Sequence, residues 1–374
     1  MKIVYLLTSL GIGGAERQVV ALAEGLAARG HGVTLLVLRP RLKQEWPTHL
    51  DVVSLGVSKT PLRVWRALIR GRRFLADLRP DLIHSHSFHA NVVARLLVLF
   101  LRPAVVISTV HNVFEGGWQR MLAYRLTDRL SQRTTAVSHA TADRFIRLKA
   151  VSRERCLVVP NAFEPADFLP QPERRTKTRA EMQLSDSSFV WLAAGRVVPA
   201  KDYPNLLRAF AAVHLAQPNA KLWIAGEYTP AAIAPLRLLA SELQLGDGLL
   251  WLGLRRDIAA LLGAADGFVQ ASAWEGMPLA IGEAMCVEKP VVATNVGGVR
   301  ELVGDTGVVV EPRDSDALAK AMLAEMNTPE QDRKLRGSAA RLRIEQEFSM
   351  EKRIVEWETL YRDVLGELPE TNNS

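Results

Sequence analysis

The chain has 374 residues, of which 48% are hydrophobic and 23% are charged, a composition typical of soluble globular proteins and long enough for two domains. Its net charge of +7 is unevenly distributed: residues 1–160 carry +14 and residues 161–374 carry −7, which predicts two domains with different partners. No apolar run reaches the roughly 18 residues of a membrane span, and Cys156 and Cys286 lack metal or redox spacing, so we interpret them as buried thiols in a reducing compartment.

The N-terminal half alternates apolar strands with helices. The stretch "KIVYLL" predicts a strand, and a glycine-rich turn and a helix over 15–29 follow it. The opening "MKIVYLLTSLGIGGA" weakly resembles a signal peptide, but the turn and helix behind it favour a buried first strand. Further strands are predicted in "GVTLLVL", "VVSLG", "DLIHSHS", "AVVISTVHN", "TTAVS" and "CLVVPN", and further helices over 61–78 and 90–101.

The character of the chain changes at residues 165–187, which are polar, contain three prolines and are predicted to connect two domains. Strand and helix signals then alternate again, and helical segments over about 329–365 precede a frayed end, "PETNNS". The predicted strands are "FVWLAAGR", "AKLWIAGE", "LLWLG", "GFVQAS", "PVVAT" and "GVVVE", and the predicted helices cover 203–216, 230–243, 256–264, 278–287 and 314–326.

Nearly continuous apolar strands separated by helices indicate parallel sheets that are covered on both faces. We therefore predict an α/β fold with two facing doubly wound, Rossmann-like domains and an interdomain cleft. The predicted N-terminal domain spans 1–165 and is joined by the C-terminal helix at about 350–368, and the second domain spans 166–349. In such sheets ligands bind beyond the carboxyl ends of the strands, so the informative residues should follow strands.

The first strand is followed by "TSLGIGGAERQVV", in which Gly11, Gly13 and Gly14 allow the backbone to approach a ligand closely. This is not a dinucleotide fingerprint, because the position that would need glycine is Glu16. A Walker A motif is also absent from this turn, since no Gly-Lys-Ser/Thr follows. The alternative, a tight turn with no ligand, stays open.

Two cations, Arg196 and Lys201, follow the strand "FVWLAAG" and precede a helix. At that place they can neutralise a diphosphate, the arginine in a bidentate manner and the lysine as a point charge. The alternative is a pair of surface cations at a strand end.

The stretch "WEGMPLAIGEAM" places Glu275 before a predicted helix start and Glu283 eight residues later, with Pro278 at the expected first helical position. Amides at a helix start bind phosphate, whereas carboxylates bind sugar hydroxyls. Together they indicate a nucleotide sugar, although a loop acid and an acid that complements the helix dipole would give the same pattern. The amides expected at the phosphate are those of Gly276, Met277 and Leu279.

Two patterns could be taken for metal sites. Asp314-Ser315-Asp316 resembles an Asp-x-Asp motif, but it precedes a helix, where capping explains it better. His84, His86 and His89 lie at a strand end with no cysteine or acid nearby, which disfavours zinc. We predict no metal.

Ten short stretches follow one another along about residues 1–365: "GGAERQV", "PDLIHSHS", "VHN", "AVS", "VVPNAF", "GRVVPAKD", "LWIAGE", "WEGMPLAIGEAM", "VVATNVGGVRELV" and "GVVVEPRDSDALAKAM". In this order they resemble the retaining glycosyltransferases of the GT4 family, which have the GT-B fold. One departure is Asn161-Ala162, where the family more often has Asn-Gly.

The resemblance implies a role for each candidate site residue. Glu275 is expected to contact the donor hexose and Glu283 the ribose. Arg196 and Lys201 are expected to stabilise the leaving diphosphate. Other expected donor-binding positions are Gly13 and Gly14 in the first loop and, at the start of the helix predicted over 278–287, Gly276, Met277, Pro278 and Leu279. His111 is expected near the sugar and the acceptor. The acceptor side is expected to include His84, His86 and Asn112.

The implied reaction is transfer of a hexose or N-acetylhexosamine from a nucleotide diphosphate sugar, with retention of configuration and without a metal or other cofactor. A UDP-sugar is favoured and a GDP-sugar is second. The expected acceptor is a lipid-linked glycan, lipopolysaccharide or exopolysaccharide. A sugar epimerase, a phosphorylase or a non-catalytic binding protein with the same fold are the alternatives.

The basic N-terminal half has two amphipathic segments, 61–79 and 118–133. Such helices lie on anionic membranes, so we predict peripheral attachment to the cytoplasmic face of a bacterial inner membrane. The alternative is a core-facing stripe flanked by solvated arginines, and nucleic acid is not a predicted partner, because no aromatic platform or known motif accompanies the charge. The first segment has Leu62, Trp65, Leu68 and Ile69 along one stripe beside Arg63, Arg66, Arg70, Arg72 and Arg73.

Overall fold

A computed structural model divides the chain into two compact units. The N-terminal unit comprises Met1–Ala162 and the C-terminal helix Met350–Leu365, and the C-terminal unit comprises Phe163–Ser349. The division falls three residues before the one expected from the sequence. The structure describes residues 1–11, 13–40, 47–57, 61–101, 105–169, 171–185 and 187–366, with the backbone alone for 61–65; the expected frayed end lies outside these ranges.

In the described part of the N-terminal unit, seven parallel strands form one sheet in the order β3-β2-β1-β4-β5-β6-β7. The order reverses between β1 and β4, which is the switch point at which doubly wound sheets bind ligands. The central strands are buried almost throughout, as their continuous apolar sequence predicts. The strands are β1 (Lys2–Leu7), β2 (Gly32–Val37), β3 (Asp51–Ser54), β4 (Leu82–His86), β5 (Val105–Val110), β6 (Arg133–Ala136) and β7 (Cys156–Val158).

The chain's C-terminal helix packs against the first helix of the N-terminal unit. The Tyr361 hydroxyl lies 2.8 Å from the hydroxyl of Tyr5 in β1, and Arg29 Nε donates to Glu358 Oε2 at 2.8 Å. These contacts explain why a segment so distant in sequence belongs to this unit. The helices of the unit are α1 (Gly14–Ala28), α2 (Pro61–Leu78), α3 (Phe88–Leu97), α4 (Trp118–Thr127), α5 (His139–Arg147) and α14 (Met350–Leu365).

The C-terminal unit contains a second parallel sheet, in which the described residues form six strands in the order β10-β9-β8-β11-β12-β13. Its switch point lies between β8 and β11. The strands are β8 (Phe189–Ala194), β9 (Ala220–Ala225), β10 (Leu249–Gly253), β11 (Gly267–Gln270), β12 (Val291–Thr294) and β13 (Val308–Val310). The helices are α6 (Pro172–Glu181), α7 (Tyr203–Ala216), α8 (Pro230–Glu242), α9 (Ile258–Ala264), α10 (Leu279–Cys286), α11 (Val299–Val303), α12 (Ser315–Asn327) and α13 (Glu330–Glu347).

The prediction that residues 165–187 merely connect two domains is wrong. This segment contains α6, which packs against α9. Arg175 Nη2 and Arg179 Nη1 bind the carboxylate of Asp266 at 2.6 and 3.1 Å, and Arg175 Nη1 also donates to the Ala265 carbonyl at 2.9 Å. The charges that made the segment resemble a linker therefore satisfy carbonyl groups at the end of α9.

Two predicted helix boundaries also change. The helix expected over 90–101 begins at Phe88 and tightens into a 3₁₀ turn at Val98–Phe100. Pro278 precedes α10 in an extended conformation rather than occupying its first turn. Among the described helices, none is both long and apolar enough to cross a membrane.

Candidate active site

In the C-terminal unit, loops after the neighbouring strands β8 and β11 bring Lys201 and Glu275 together. Lys201 Nζ donates to Glu275 Oε1 at 2.6 Å. The two loops are also joined through the backbone, because the Ala273 amide donates to the Ala200 carbonyl at 2.8 Å. Both side chains are largely shielded from solvent, which strengthens a charge-assisted bond of this kind.

The carboxylate of Glu275 is oriented by its own strand end. Oε1 accepts hydrogen bonds from Ser272 Oγ at 2.7 Å and Gln270 Nε2 at 3.3 Å, besides the bond from Lys201. Within the described part of the chain no hydrogen bond ends on Oε2, so this oxygen can accept from a sugar hydroxyl. The sequence analysis missed Ser272 and Gln270, although their positions just before Glu275 in a strand-end loop were a usable signal.

A glycine turn holds the Glu275 loop from the other side. Gly297 has φ +55°, and a Cβ there would lie 2.2 Å from the Glu275 backbone oxygen. The Gly298 amide donates to the Gly276 carbonyl at 2.6 Å. Only glycine fits this close approach. "GGVRELV" contributed to the family resemblance, but its packing role did not follow from sequence.

Glu283 lies in the second turn of α10 and is only 6% exposed. Gly282 next to it packs on the ring of Phe163, where a Cβ would come within 2.1 Å of the ring. This contact sets the position of the helix, and therefore of Glu283. Met277, buried at 4% exposure, and Leu279 flank Pro278 at the start of the same helix.

Arg196 differs from Lys201. It follows Gly195 at the end of β8, is exposed, and has no hydrogen-bond or ion-pair partner among the described residues. The Gly195 carbonyl is fixed by the Tyr203 hydroxyl at 2.6 Å, and a Cβ on Gly226 would lie 1.9 Å from it. A rigid strand end thus presents a guanidinium that is free to bind an anion.

In the N-terminal unit, His111 directly follows β5 and contacts the end of β4. His86 Nδ1 lies 2.9 Å from His111 Nε2. Burial lowers the pKa of His111 to about 4, and burial, followed by the nearby His84 and His111, lowers the pKa of His86 well below its usual value. Both imidazoles are therefore neutral at pH 7.

An acid that the sequence analysis missed, Glu115, fixes the loop after His111. Its Oε1 accepts from the His111 amide at 3.0 Å, and its Oε2 accepts from the Tyr124 hydroxyl at 2.6 Å. Desolvation raises the pKa of Glu115 despite these bonds. Asn112 lies within the same loop, where its Oδ1 accepts from the Phe114 amide at 3.1 Å.

His84 was expected on the acceptor side, but the structure places it in the core at 0% exposure. Its Nδ1 lies 2.7 Å from the Tyr361 hydroxyl and its Nε2 lies 2.7 Å from Thr109 Oγ1. With both ring nitrogens bonded inside the unit, His84 cannot bind an acceptor directly. It ties α14 to the sheet instead.

The first glycine loop begins α1. Gly13 is the residue that caps this helix and Gly14 is its first member. A Cβ at Gly13 would come within 2.4 Å of Glu16 Oε2, so a side chain there would require Glu16 to move. The two glycines follow the carboxyl end of β1, which borders the switch point of the sheet.

The two metal-like patterns have structural explanations. Asp314 caps α12, its Oδ1 accepting from the Ala317 amide at 2.8 Å, as predicted. His84 and His86 bind their neighbours as described above, and His89 is exposed at the start of α3. No group of three or more potential ligand side chains is arranged around a metal position in the described ranges.

The comparisons with known proteins fit this architecture. The family model described as "Glycosyltransferase Family 4" matches residues 12–167, and the family model described as "Glycosyl transferases group 1" matches residues 174–342. N-acetyl-alpha-D-glucosaminyl L-malate synthase of Bacillus anthracis is 30% identical over 370 residues, which are 95% of each chain. UDP-Gal:alpha-D-GlcNAc-diphosphoundecaprenol alpha-1,3-galactosyltransferase of Escherichia coli is 27% identical over 320 residues, 80% of each chain.

Solved structures show the same fold. Anabaena HepE, crystallised with UDP, has a TM-score of 0.84 and 23% identity, covering 96% of this chain and 99% of its own. Sucrose-phosphate synthase of Thermosynechococcus elongatus has a TM-score of 0.86 and 21% identity, covering 98% and 100%.

The two parallel α/β units share the fold of these GT-B structures, which confirms the predicted α/β class with two doubly wound domains. The chain belongs to the GT4 family of group 1 glycosyltransferases.

Proposed function

We propose that the protein transfers a hexose or N-acetylhexosamine from a nucleotide diphosphate sugar to a lipid-linked glycan, lipopolysaccharide or exopolysaccharide acceptor, with retention of configuration. The observation that carries the proposal is the Lys201–Glu275 pair at the switch point of the C-terminal sheet, with Glu275 Oε2 left for a ligand. The name of the E. coli relative supports a UDP-sugar donor and a polyprenyl-diphosphate acceptor. A Corynebacterium glutamicum relative is named as GDP-mannose-dependent, which supports a GDP-sugar as the second candidate donor.

Within this proposal the C-terminal unit binds the donor. Arg196 and Lys201 bind the diphosphate, Glu283 binds the ribose, and Glu275 contacts the hexose. The residues before and at the start of α10, Gly276, Met277, Pro278 and Leu279, are proposed to bind the phosphates. Gly13 and Gly14 of the N-terminal unit stay further candidate donor-binding positions. Arg196 supports this assignment because it is exposed at a rigid strand end.

The chemistry follows from charge. As the sugar leaves with oxocarbenium character, negative charge develops on the diphosphate, and cations that are already in place stabilise it without reorganisation. One such interaction is worth about 3 kcal/mol, or roughly a hundredfold in rate. The departing phosphate then helps to remove the acceptor proton on the same face. His111, His86 and Asn112 serve the sugar and acceptor side.

We further propose that transfer needs no metal ion, because Arg196 and Lys201 supply the positive charge that a divalent cation would otherwise bring. Turnover measured in excess chelator should equal turnover without it. Complete loss of activity that manganese restores would overturn this part of the proposal.

A thermal-shift screen against UDP, GDP, ADP and their sugar conjugates tests the donor class. A ligand that binds only the native state adds about 2.7 kcal/mol of stability at a hundredfold excess over its dissociation constant. We expect a clear rise in melting temperature with one nucleotide, UDP first. A folded sample that responds to none of them would refute the proposed function.

Peripheral membrane attachment is the remaining part of the proposal, and α4 supports it. Trp118, Leu122 and Leu126 follow one another at intervals of four residues and are 73%, 43% and 74% exposed. We call these residues the α4 stripe. Arg125 and Arg129 beside it are also exposed. Apolar side chains among arginines match an anionic bilayer, the lipid expected at the cytoplasmic face of a bacterial inner membrane.

Elements near α4 also expose apolar side chains. Helix α3 packs on α4, and the 3₁₀ turn that follows α3 exposes Leu99 and Phe100 at 56% and 64%. Arg72 of α2 lies over the Phe100 ring at 5.8 Å. In the segment expected to form an amphipathic helix, Ala67 and Leu75 are buried whereas Arg72 is exposed. Leu62, Arg63 and Trp65, which the sequence placed on that helix, lie outside the described side chains.

Co-sedimentation with vesicles of phosphatidylethanolamine, with and without phosphatidylglycerol, tests attachment. We expect binding that requires the anionic lipid, weakens with salt, and falls at least tenfold in Leu126→Glu. Leu215→Glu is the matched control, because Leu215 is 86% exposed on the other unit. Equal binding by both variants, or none by the wild type, would refute membrane attachment through the α4 stripe.

A further inference from the structure

His86 has one ring nitrogen that the hydrogen-bond network does not explain. The residue is 4% exposed, and its Nδ1 is engaged by His111 Nε2 at 2.9 Å. Its Nε2 is buried and has no hydrogen-bond partner among the described residues. A buried ring nitrogen without a hydrogen bond lowers the stability of the fold, so the groups around it should indicate which kind of atom it binds.

The surroundings form a small cavity of about 20 Å³ within the N-terminal unit. Its polar lining includes Gln18, Thr109 and Arg353, besides His86 and His111. A cavity of this size holds about one water molecule or one hydroxyl group. Arg353 is itself 4% exposed, and a guanidinium has donors but no acceptor.

The bond between the two histidines links their tautomers. Two neutral imidazoles share one proton in an N–H···N bond, so only one of them donates. If His86 donates from Nδ1, its Nε2 carries a lone pair and His111 keeps its proton on Nδ1. If His111 donates from Nε2, then His86 carries its proton on Nε2 and His111 Nδ1 is a bare acceptor.

The groups that line the cavity favour the first arrangement. Arg353, whose Nη1 is paired with Glu356, carries only N–H donors, and Gln18 Oε1 already accepts from the Ala162 amide. A lone pair on His86 Nε2 can accept from a water or hydroxyl held among these donors, whereas an N–H group would add one more donor. His111 Nδ1 then carries the proton and can donate to an oxygen atom of a ligand.

We propose that His86 is a positioning residue that holds His111 in the Nδ1–H tautomer and so makes it a hydrogen-bond donor toward substrate. This inference rests on the role of His111 in the proposed function. The tautomer itself can be measured without any substrate.

The test is ¹H–¹⁵N long-range correlation at pH 7 on full-length protein labelled with ¹⁵N-histidine, with the His86 and His111 signals assigned by single substitutions. We expect the Nδ1–H form of His111 in the wild type and growth of its Nε2–H form in His86→Phe. A wild-type His111 protonated on Nε2, or a tautomer unchanged in His86→Phe, would overturn the proposal. The wild-type spectrum decides the point even if the variant does not fold.

Kinetics separate positioning from mere packing. His86→Phe should lower kcat about tenfold while KM for the donor stays within twofold, and His89→Phe, on an exposed histidine of the same segment, should change neither. A loss in His86→Phe that is confined to KM would contradict the proposal. If the thermal-shift screen finds no nucleotide, the proposed function fails, but the tautomer result stands or falls separately.

Discussion

The two units build their strand-end sites by different means. In the C-terminal unit, close backbone approaches at Gly226, Gly282 and Gly297 hold the loops, and one carboxylate oxygen of Glu275 collects the donors. In the N-terminal unit, buried side chains bind one another, as in the chain from Tyr5 through Tyr361 to His84. The C-terminal unit therefore depends on glycines, because a Cβ at these positions would block the close backbone contacts. The N-terminal unit depends on hydroxyl and imidazole groups that bond one another.

The largest effect is expected from Glu275→Gln, which tests the carboxylate at the centre of the C-terminal site. The amide keeps the shape but removes the charge that Lys201 neutralises at 2.6 Å and that contacts the sugar in the proposal. We expect kcat to fall at least a hundredfold, measured by release of the nucleoside diphosphate. Glu242→Gln, on an exposed glutamate of α8, serves as the control and should retain full activity. Full activity of Glu275→Gln would remove Glu275 from the reaction.

Gly297→Ala tests the backbone approach in the C-terminal unit. Its positive φ and the 2.2 Å between a new Cβ and the Glu275 carbonyl should displace the loop, costing about 1–3 kcal/mol in the free energy of unfolding. Donor affinity measured by calorimetry should fall at least tenfold. Gly263→Ala is the matched control, because a Cβ there meets no atom within 4 Å in helix α9. Equal stability of the two variants would contradict the comparison.

Tyr361→Phe tests the side-chain network of the N-terminal unit. Removing the hydroxyl leaves the Tyr5 hydroxyl and His84 Nδ1 without a buried partner, which should cost about 1–3 kcal/mol in the free energy of unfolding measured with urea. Donor affinity should not change, since neither Tyr361 nor its partners Tyr5 and His84 are among the proposed donor-binding residues. Tyr228→Phe is the control, because the Tyr228 hydroxyl has no hydrogen-bond partner in the described ranges. A loss of donor affinity in Tyr361→Phe would show that the units are not independent in this respect.

Ser272→Ala should have the smallest effect. It removes one of the hydrogen bonds to Glu275 Oε1 but leaves Lys201 in place. A single neutral hydrogen bond contributes about 1 kcal/mol, so kcat should fall about fivefold. Thr328→Ala, in which the lost hydroxyl bonds only its own helix, should leave kcat unchanged. If Ser272→Ala matched Glu275→Gln in its effect, Ser272 would contact the substrate itself.

The alternation of apolar strands and helices was enough to predict both sheets, because strands buried on two faces need continuous apolar runs. The family and the candidate donor residues also followed from local stretches such as "WEGMPLAIGEAM". The segment 165–187 misled, since its arginines and prolines have the composition of a linker, and only the partner Asp266 shows that they belong to a folded helix.

Sequence by itself thus determined the α/β architecture, the GT4 family and where along the chain the charged strand ends fall, because periodicity and motif spacing are local properties. Tertiary structure decided which groups meet. It buried His84 against Tyr361, paired His86 with His111, placed Ser272 on Glu275, and left Arg196 exposed while Lys201 is bound. These contacts join residues that are close only when strands pair and loops meet, and no pattern in one stretch of chain records them.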